Sequence, residues 1–535
     1  MTAAFVWCSL MLVCPGPLQS AQRDLRDVIG TTGASPGTVM LAPGSWFVPD
    51  DLEVPGNIKL RLSAGAAIDV AAGRTLTLHG PLEARAARIF TGSGNVVFDR
   101  RRGKQRVYPQ WWGAKGDGRT DDTFAFQAAV NAFSDAGGEL YVPDGIYIMD
   151  SVGIKSNIAV IGRSRRAILK QKKGAGCCVT TNPDNGKVKS PGRKRRNIRF
   201  NHLTFRGAVE SEGFSEFKML LDIRGASGVN IEKCNFVGFR GDGVYIDAVK
   251  APGRILHSSG ITISGCLFDG VNRDNRNGIS VIDCDGIAIV KCLFMNTSRP
   301  DMPGAIDFEP DYRYDIIRNI MVSGDRFENI GGGYVIAVSI PGAVGRLDHP
   351  LENVEISGNH ILGDGTSGGI YVGQTQLAGG KTQPNNILIS GNIVQNTKRA
   401  FMVFGVKGAV MAGNVFEDCA LDPYISYSQK NINVMNMKVT GNTFKDLSVK
   451  NRVGIAVFGA SGLEFRNNVF DNTHLLFRRH GGPDDYISIV NNTFKGPRTT
   501  APVQRDIGNV TYSGHNRIAG NTFLGNDTVL LPAER

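Results

Sequence analysis

A six-residue pattern, apolar-x-x-(Asn, Cys or Asp)-x-apolar, recurs eleven times between residues 231 and 523. Its fourth position is Cys234, Cys266, Cys292, Asp325, Asn359, Asn392, Asn414, Asn442, Asn468, Asn492 and Asn521, and successive members stand 22 to 34 residues apart. A repeat of that period marks stacked coils, because one coil cannot bury its apolar face and needs neighbours above and below. Stacking at roughly 4.8 Å turns the apolar positions into a continuous core and lines up the fourth positions, so that Asn amides hydrogen-bond along the stack. The pattern predicts an all-β chain wound as a parallel β-helix, with its ends covered so that no strand edge stays open. Cys234, Cys266 and Cys292 stand where Asn stands elsewhere, which makes them buried ladder residues rather than metal ligands or nucleophiles.

A second series of strands lies between the ladder segments, at 244–247, 279–282, 306–309, 335–338, 370–373, 401–404 and 455–458. Ile306 and Phe308 alternate with Asp307 and Glu309, the period of a strand with one buried face. That parity directs both carboxylates to an outward face, two residues or about 6.6 Å apart, where each raises the pKa of the other. Aligned by the same parity, Tyr245, Ser280, Asp307 and Tyr371 share one column, and Asp247, Ile282, Glu309 and Gly373 the next. Arg240, Arg276, Arg299, Arg399 and Arg452 each fall a few residues before one of these strands. A face mixing acids, tyrosines and arginines is the candidate groove. Asp307, Glu309, Asp247 and Arg276 are its candidate catalytic residues; Tyr245, Tyr371, Tyr312, Asp311 and Asp283 are its candidate substrate contacts.

With 535 residues, 67 of them glycine, the chain has room for one elongated repeat domain with attachments. Its formal net charge of +11 favours an acidic partner such as an anionic polysaccharide, nucleic acid or lipid surface. Two basic runs, 163–173 and 187–196, carry no interleaved aromatic stacking platforms, so no nucleic-acid partner is expected. No later segment approaches the roughly 18 apolar residues of a membrane span. Residues 1–21 read as a secretory signal, with an apolar run at 3–13 and cleavage before Gln22, and imply a secreted or periplasmic protein. The nine cysteines show neither CxxC spacing nor a disulfide framework. Short β segments at 38–41, 57–62, 74–78 and 95–98 make 22–98 a small β module, joined through a basic linker at 99–107 to a main domain at 108–535.

That main domain opens with Trp112-Gly113-Ala114-Lys115-Gly116-Asp117-Gly118, Thr120-Asp121-Asp122-Thr123 and Gln127-Ala128-Ala129. A helix is predicted over 122–133, capped by Thr120 or Asp121, with Phe126, Ala129, Val130 and Phe133 as its apolar stripe. The stretch resembles the opening of the pectate-lyase-like superfamily, which includes rhamnogalacturonase/epimerase-like domains and many phage tailspikes. The resemblance implies a right-handed parallel β-helix whose N-terminal end this helix covers, with 137–147 in the first coil. It also implies glycoside hydrolase or polysaccharide lyase chemistry, and homotrimers as in tailspikes, for which the sequence supplies no coiled-coil segment. Ile306-Asp307-Phe308-Glu309 is similar to the Phe-Asp-Pro-His of alginate epimerases on this fold. Glu309 replaces the His, however, and Gly304-Ala305 stand where those enzymes have Tyr-Gly, which counts against epimerisation. The galacturonase set of Asn-Thr-Asp, Gly-His-Gly and Arg-Ile-Lys is not present in the sequence.

The carboxylate pair favours glycoside hydrolysis, for which an inverting enzyme separates its carboxyls by roughly 6.5–9.5 Å and needs no cofactor. The alternative is a Ca²⁺-dependent lyase. Asp307, Glu309 and Asp283 would supply hard oxygen ligands to the ion, and Arg276, Tyr245 or Tyr312 would draw the proton beside a uronate. A third reading is a non-catalytic glycan-binding adhesin or spike, because fold alone does not fix activity.

Overall fold

The computed structural model describes residues 23–30, 36–99, 103, 105–182, 194–344, 347–374, 383–427, 434–447, 454–478, 486–496, 503–505 and 517–524. The segment read as a secretory signal lies outside them, as do Arg452 and most of the second basic run. Two compact units divide the chain, Met1–Arg102 and Gly103–Arg535.

In the first unit, strands such as Ile58–Leu62 and Ala66–Val70 bury every second side chain and pair in parallel into one four-stranded and two three-stranded sheets. Register stacks Val39, Leu60 and Leu82 in one column and Trp46, Ile68 and Phe90 in another, which gives the unit its own small core.

The second unit is a right-handed parallel β-helix. Among the described residues its three parallel sheets have 17, 15 and 13 strands, and most turns of the chain add one strand to each sheet. The repeating hexads straddle the corner between the first and second sheets. Their last residues Phe236, Phe268, Phe294 and Phe327 stack with one another and with Phe205 of the preceding coil, with ring centroids 4.9, 4.8, 4.7 and 4.8 Å apart from Phe205 onward and nearly parallel planes. Burying each ring contributes roughly 1.5–3 kcal/mol and each offset stack about 0.5–1.5 kcal/mol more, which fixes coil register from inside.

The fourth positions form the expected ladder. Each Asn Nδ2 donates to the Asn Oδ1 of the following coil and to a carbonyl of the preceding one: Asn392 reaches Asn414 at 2.9 Å and the Ile356 carbonyl at 2.8 Å. Asn359, Asn414, Asn442, Asn468 and Asn492 repeat the arrangement. Cys266 and Cys292 take the same place, their thiols directed at the Ile231 and Ile263 carbonyls at 3.6 and 3.7 Å.

Asp325 is the misfit. Its Oδ1 accepts the Cys292 amide at 2.6 Å, while its own amide donates to Asn359 Oδ1 at 2.9 Å. Its Oδ2 is buried without a partner. In the ladder that atom stands where an amide nitrogen donates, and a carboxylate has no proton to give. Burial pushes the Asp325 pKa up to about 8. The folded state therefore binds this proton more tightly than the unfolded chain, and stability is highest below the ordinary Asp value near 4 and falls as pH rises toward about 8. Asp325→Asn supplies the missing donor. Thermal unfolding at about pH 5 and about pH 9 is expected to show a variant more stable by about 1–3 kcal/mol at the higher pH; a variant less stable there contradicts the ladder assignment.

One end of the β-helix is covered by the helix Thr123–Asn131, shorter than the predicted 122–133, which buries Ala125, Phe126, Ala129 and Val130. Asp121 accepts the Thr123 amide at 3.0 Å, as a residue beside a helix start should. Asp122, at the N-cap position, instead turns away and accepts the amides of Lys115 and Gly116 at 2.7 and 3.1 Å, pinning the Gly-rich loop. Thr120 does not cap: it lies within a strand, Asp117–Asp121, and bonds to Asp117. Among the described residues no helix is long and apolar enough to cross a membrane. In the first basic run, Arg166 pairs with Asp144, and Lys172 with Asp121.

Candidate active site

The third sheet carries the chemically mixed face. Its strands Leu221–Arg224, Val244–Asp247, Ile279–Val281, Ile306–Phe308, Tyr334–Ile340 and Gly368–Gln374 follow one another in parallel. Inward positions are apolar and sealed, with Ile279, Val281, Ile306 and Phe308 at 0% exposure. The outward column runs Asp222, Tyr245, Ser280, Asp307, Ala337, Tyr371 in direct register. Parity read from the sequence thus places Asp307 correctly, one coil after Ser280 and two before Tyr371.

Exposure does not follow the expectation. Asp307 is 2% exposed, because the largely buried Arg276 folds from the preceding loop onto this column. Its guanidinium donates to Ser280 Oγ at 2.6 Å and stands 3.4 Å from Asp242, 3.8 Å from Asp307 and 3.9 Å from Glu309. The Glu309 side chain keeps 34% of its surface open. The two carboxyls lie within hydrogen-bonding reach of each other, not apart on an open face. Burial, and then the Glu309 charge, raise the Asp307 pKa well above the carboxylate range against the pull of Arg276. Asp307 therefore favours its neutral form beside Glu309. Burial opposes the Arg276 charge, but Asp242, Asp307 and Glu309 outweigh it and keep the guanidinium firmly protonated.

A second charged group lies beside the first. Asp247 is 4% exposed and receives Lys250 Nζ at 3.0 Å, Arg224 at 3.4 Å, Tyr245 Oη at 3.4 Å and the Ala248 amide at 2.7 Å. Lys250 also reaches Asp315 at 3.3 Å and sits 4.5 Å from the Tyr312 ring centroid, with Tyr314 stacked on Tyr312 at 5.2 Å. Burial raises Asp315 to about 6 despite Lys250. Asp311 stands at the rim. Desolvation of its carboxyl and the nearby Asp247 and Glu309 charges raise its pKa, opposed by Lys250 and Arg276. One acidic centre thus joins Asp247, Asp307, Glu309 and Asp311 to Arg276 and Lys250.

Asp283 is not part of this centre. It is fully buried, and its oxygens accept the Ser258 and Ile316 amides at 3.0 and 2.9 Å and face His257 Nδ1 at 2.7 Å. It staples loops together, as the end of a strand at a tight turn demands. Asp283, saturated by protein donors, does not fit a Ca²⁺ site shared with Asp307 and Glu309. Among the described residues no group of three or more His, Cys, Asp or Glu side chains is placed to hold a metal ion. Arg240 pairs with Glu212, and Arg299 with Asp274 and Asp301, so neither serves the acidic column. Tyr371 lies 8% exposed between Tyr334 and Phe404.

The sequence reading missed Asp222, Arg224, Asp242, Lys250 and Asp315. Asp222-Ile223-Arg224 carries the same alternation as Asp307-Phe308-Glu309, and that signal points to it.

Residues 111–301 match the family described as Rhamnogalacturonase A/epimerase, pectate lyase-like. Alginate lyase 7 of Azotobacter vinelandii is 45% identical over 60 residues, which are 10% of this chain and 7% of that protein. The fold is similar to that of the pre-mature bacteriophage phi29 gene product 12, with a TM-score of 0.57 and 17% identity over 79% of this chain and 56% of that one. The A-module of the Azotobacter vinelandii mannuronan C-5 epimerase AlgE6 gives a TM-score of 0.49 at 17% identity over 78% of this chain and 99% of that one. The chain spans 7% of the lyase and about half of the phage protein. By the sequence of residues 111–301 and by its three-sheet winding, the chain resembles the pectate-lyase-like superfamily of right-handed parallel β-helix proteins.

Proposed function

We propose that the chain hydrolyses a polysaccharide in the groove along its third sheet, with the Asp307–Glu309 pair as proton source. The observation that carries this reading is the pair itself, the buried Asp307 carboxyl, whose neutral form is favoured, against the partly open Glu309 side chain in the middle of an outward face. Glu309 meets the sugar and passes a proton to the leaving glycosidic oxygen, and Asp307 resupplies it. Asp311, ionised above its raised pKa, takes a proton from the attacking water, whose oxygen bonds to the anomeric carbon as the glycosidic bond breaks. Arg276 holds the pair in place, and Lys250 does the same for Asp247. No cofactor is needed. The description of the matched family and the alginate lyase relative support an acidic polysaccharide as substrate. The apolar stretch at 3–13 supports a secreted or periplasmic location.

The test is a screen of the purified chain against alginate, pectate and a neutral glucan, read as new reducing ends. Turnover of none of the acidic polymers would sink the proposal. The raised carboxyls also set a pH dependence. Asp222, Asp242, Asp307 and Asp311 are held above the ordinary range and Asp315 at about 6, whereas Arg224, Lys250 and Arg276 stay charged. As pH falls the groove therefore gains net positive charge, while sugar carboxylates remain ionised. Affinity for an alginate oligosaccharide is expected to tighten several-fold from about pH 8 to about pH 5 by titration calorimetry. Affinity that is flat or weaker at the lower pH contradicts this arrangement of charges.

A further inference from the structure

We infer that the C-terminal flank of the same face is a subsite that stacks a sugar ring on tyrosines and pairs its carboxylate with Arg399; the inference rests on the polysaccharide reading above. Beyond Ala337 the outward column changes character, continuing as Tyr371, Met402 and Tyr424 in direct register. The Tyr371 ring lies 5.2 Å from that of Tyr334 and 5.9 Å from that of Phe404, and the Tyr424 ring lies 5.7 Å from that of Phe458. Tyr334, Phe404, Tyr424 and Phe458 are half-buried, so their rings leave apolar area at the surface. A pyranose presents just such a surface on the C–H face of its ring, and covering an aromatic with it removes apolar area from water.

Arg399 gives the flank its charge preference. Its guanidinium lies 4.8 Å from the Tyr424 ring centroid, and it donates to the Asp422 carbonyl at 3.0 Å and to Tyr424 Oη at 3.4 Å. Arg224 and Arg276 on the same face are neutralised by acids. No carboxylate pairs with Arg399 among the described residues; its guanidinium is held by the Asp422 carbonyl and the Tyr424 and Tyr334 hydroxyls, and its charge is left for a planar anion.

Tyr371 supplies the independent sign of a ligand. It is 8% exposed, and its hydroxyl is buried with no hydrogen-bond partner. A tyrosine buried in this way normally finds a partner for its hydroxyl. The neighbour above it in the column is Met402, a flexible side chain whose sulfur meets the Tyr334 hydroxyl. Tyr371 stands two coils from Asp307 and Tyr424 four coils, about 9.6 and about 19 Å along the stack. A single oligosaccharide reaches from the acid pair to this flank.

Calorimetry with alginate and pectate oligosaccharides, and with the same oligosaccharides after reduction of their carboxyls, tests the assignment. Arg399→Gln is expected to weaken binding of the uronate forms at least ten-fold and to leave the reduced forms nearly unchanged. Tyr371→Phe is expected to weaken both forms several-fold with no fall in Tm. Equal affinity of wild type and Arg399→Gln for the uronates, unaltered affinity in Tyr371→Phe, or binding of no uronate at all would overturn the inference. If Arg399→Gln loses binding while Glu309→Gln keeps its turnover, the subsite stands and the catalytic proposal falls.

Discussion

Glu309→Gln is expected to lower the rate of polysaccharide hydrolysis by roughly 10²–10⁴-fold, the usual contribution of a positioned proton donor, and to leave Tm nearly unchanged. The side chain is a third exposed, and its contact with Arg276 is a long 3.9 Å, so little folding energy depends on it. The amide keeps the shape but cannot relay a proton from Asp307. Asp307→Asn is expected to act differently. It removes the proton donor of Glu309, so the rate falls and the alkaline limb of the pH–rate profile moves. If Glu309→Gln retains more than a tenth of the wild-type rate, the pair is structural and the reaction lies elsewhere on the face.

Arg276→Met carries the largest expected effect on stability. Arg276 is the cation shared by Asp242, Asp307 and Glu309, with Glu216 3.6 Å from its Nε. Asp242 is 1% and Asp307 2% exposed, so neither can turn to water when the guanidinium is removed. Breaking a buried ion pair by deleting one partner costs about 3–5 kcal/mol, because a charge is left behind in a poor dielectric. Here both buried acids already favour their neutral forms. The loss is therefore expected to be largest at about pH 8 and to shrink toward about pH 5, where protonation removes the uncompensated charge. Urea unfolding of the variant at the two pH values measures it. A variant as stable as wild type at the higher pH would mean that Arg276 is not the counter-ion of this group.

How far the sequence carries depends on the range of the interaction concerned. The ladder from Asn359 to Asn521 is legible because each coil repeats a local pattern, and the structure reproduces it amide by amide. The column of Tyr245, Ser280, Asp307 and Tyr371 is legible for the same reason, since strand parity decides which way a side chain points. Parity says nothing about what folds over the strand afterwards. Asp307 is directed outward yet sealed, because Arg276 leaves a loop whose path no periodicity describes. Lys250 lies in a hairpin, Val249–Ala251 with Arg254–Leu256, and finds Asp315 across 65 positions of chain. Asp283 shows the opposite error. The sequence reading places it among the groove's substrate contacts, but the backbone amides of Ser258 and Ile316 turn it inward.

The strain at Asp325 and the proton at Asp307 share one cause, a carboxyl buried in a β-helix without enough donors. At Asp325 no sugar-facing group lies in the ladder, and replacement by Asn is expected to be a gain. At Asp307 the same condition sits beside a partly open carboxylate, where a retained proton has a use.

The most direct measurement follows both possible products in one reaction of the wild-type chain with an acidic polysaccharide, reducing ends by colour and unsaturated sugars by ultraviolet absorbance. Hydrolysis through the Asp307–Glu309 pair predicts new reducing ends with no rise in absorbance, and neither signal from Glu309→Gln. Reducing ends accompanied by an equivalent rise in absorbance would show elimination instead and would contradict the account.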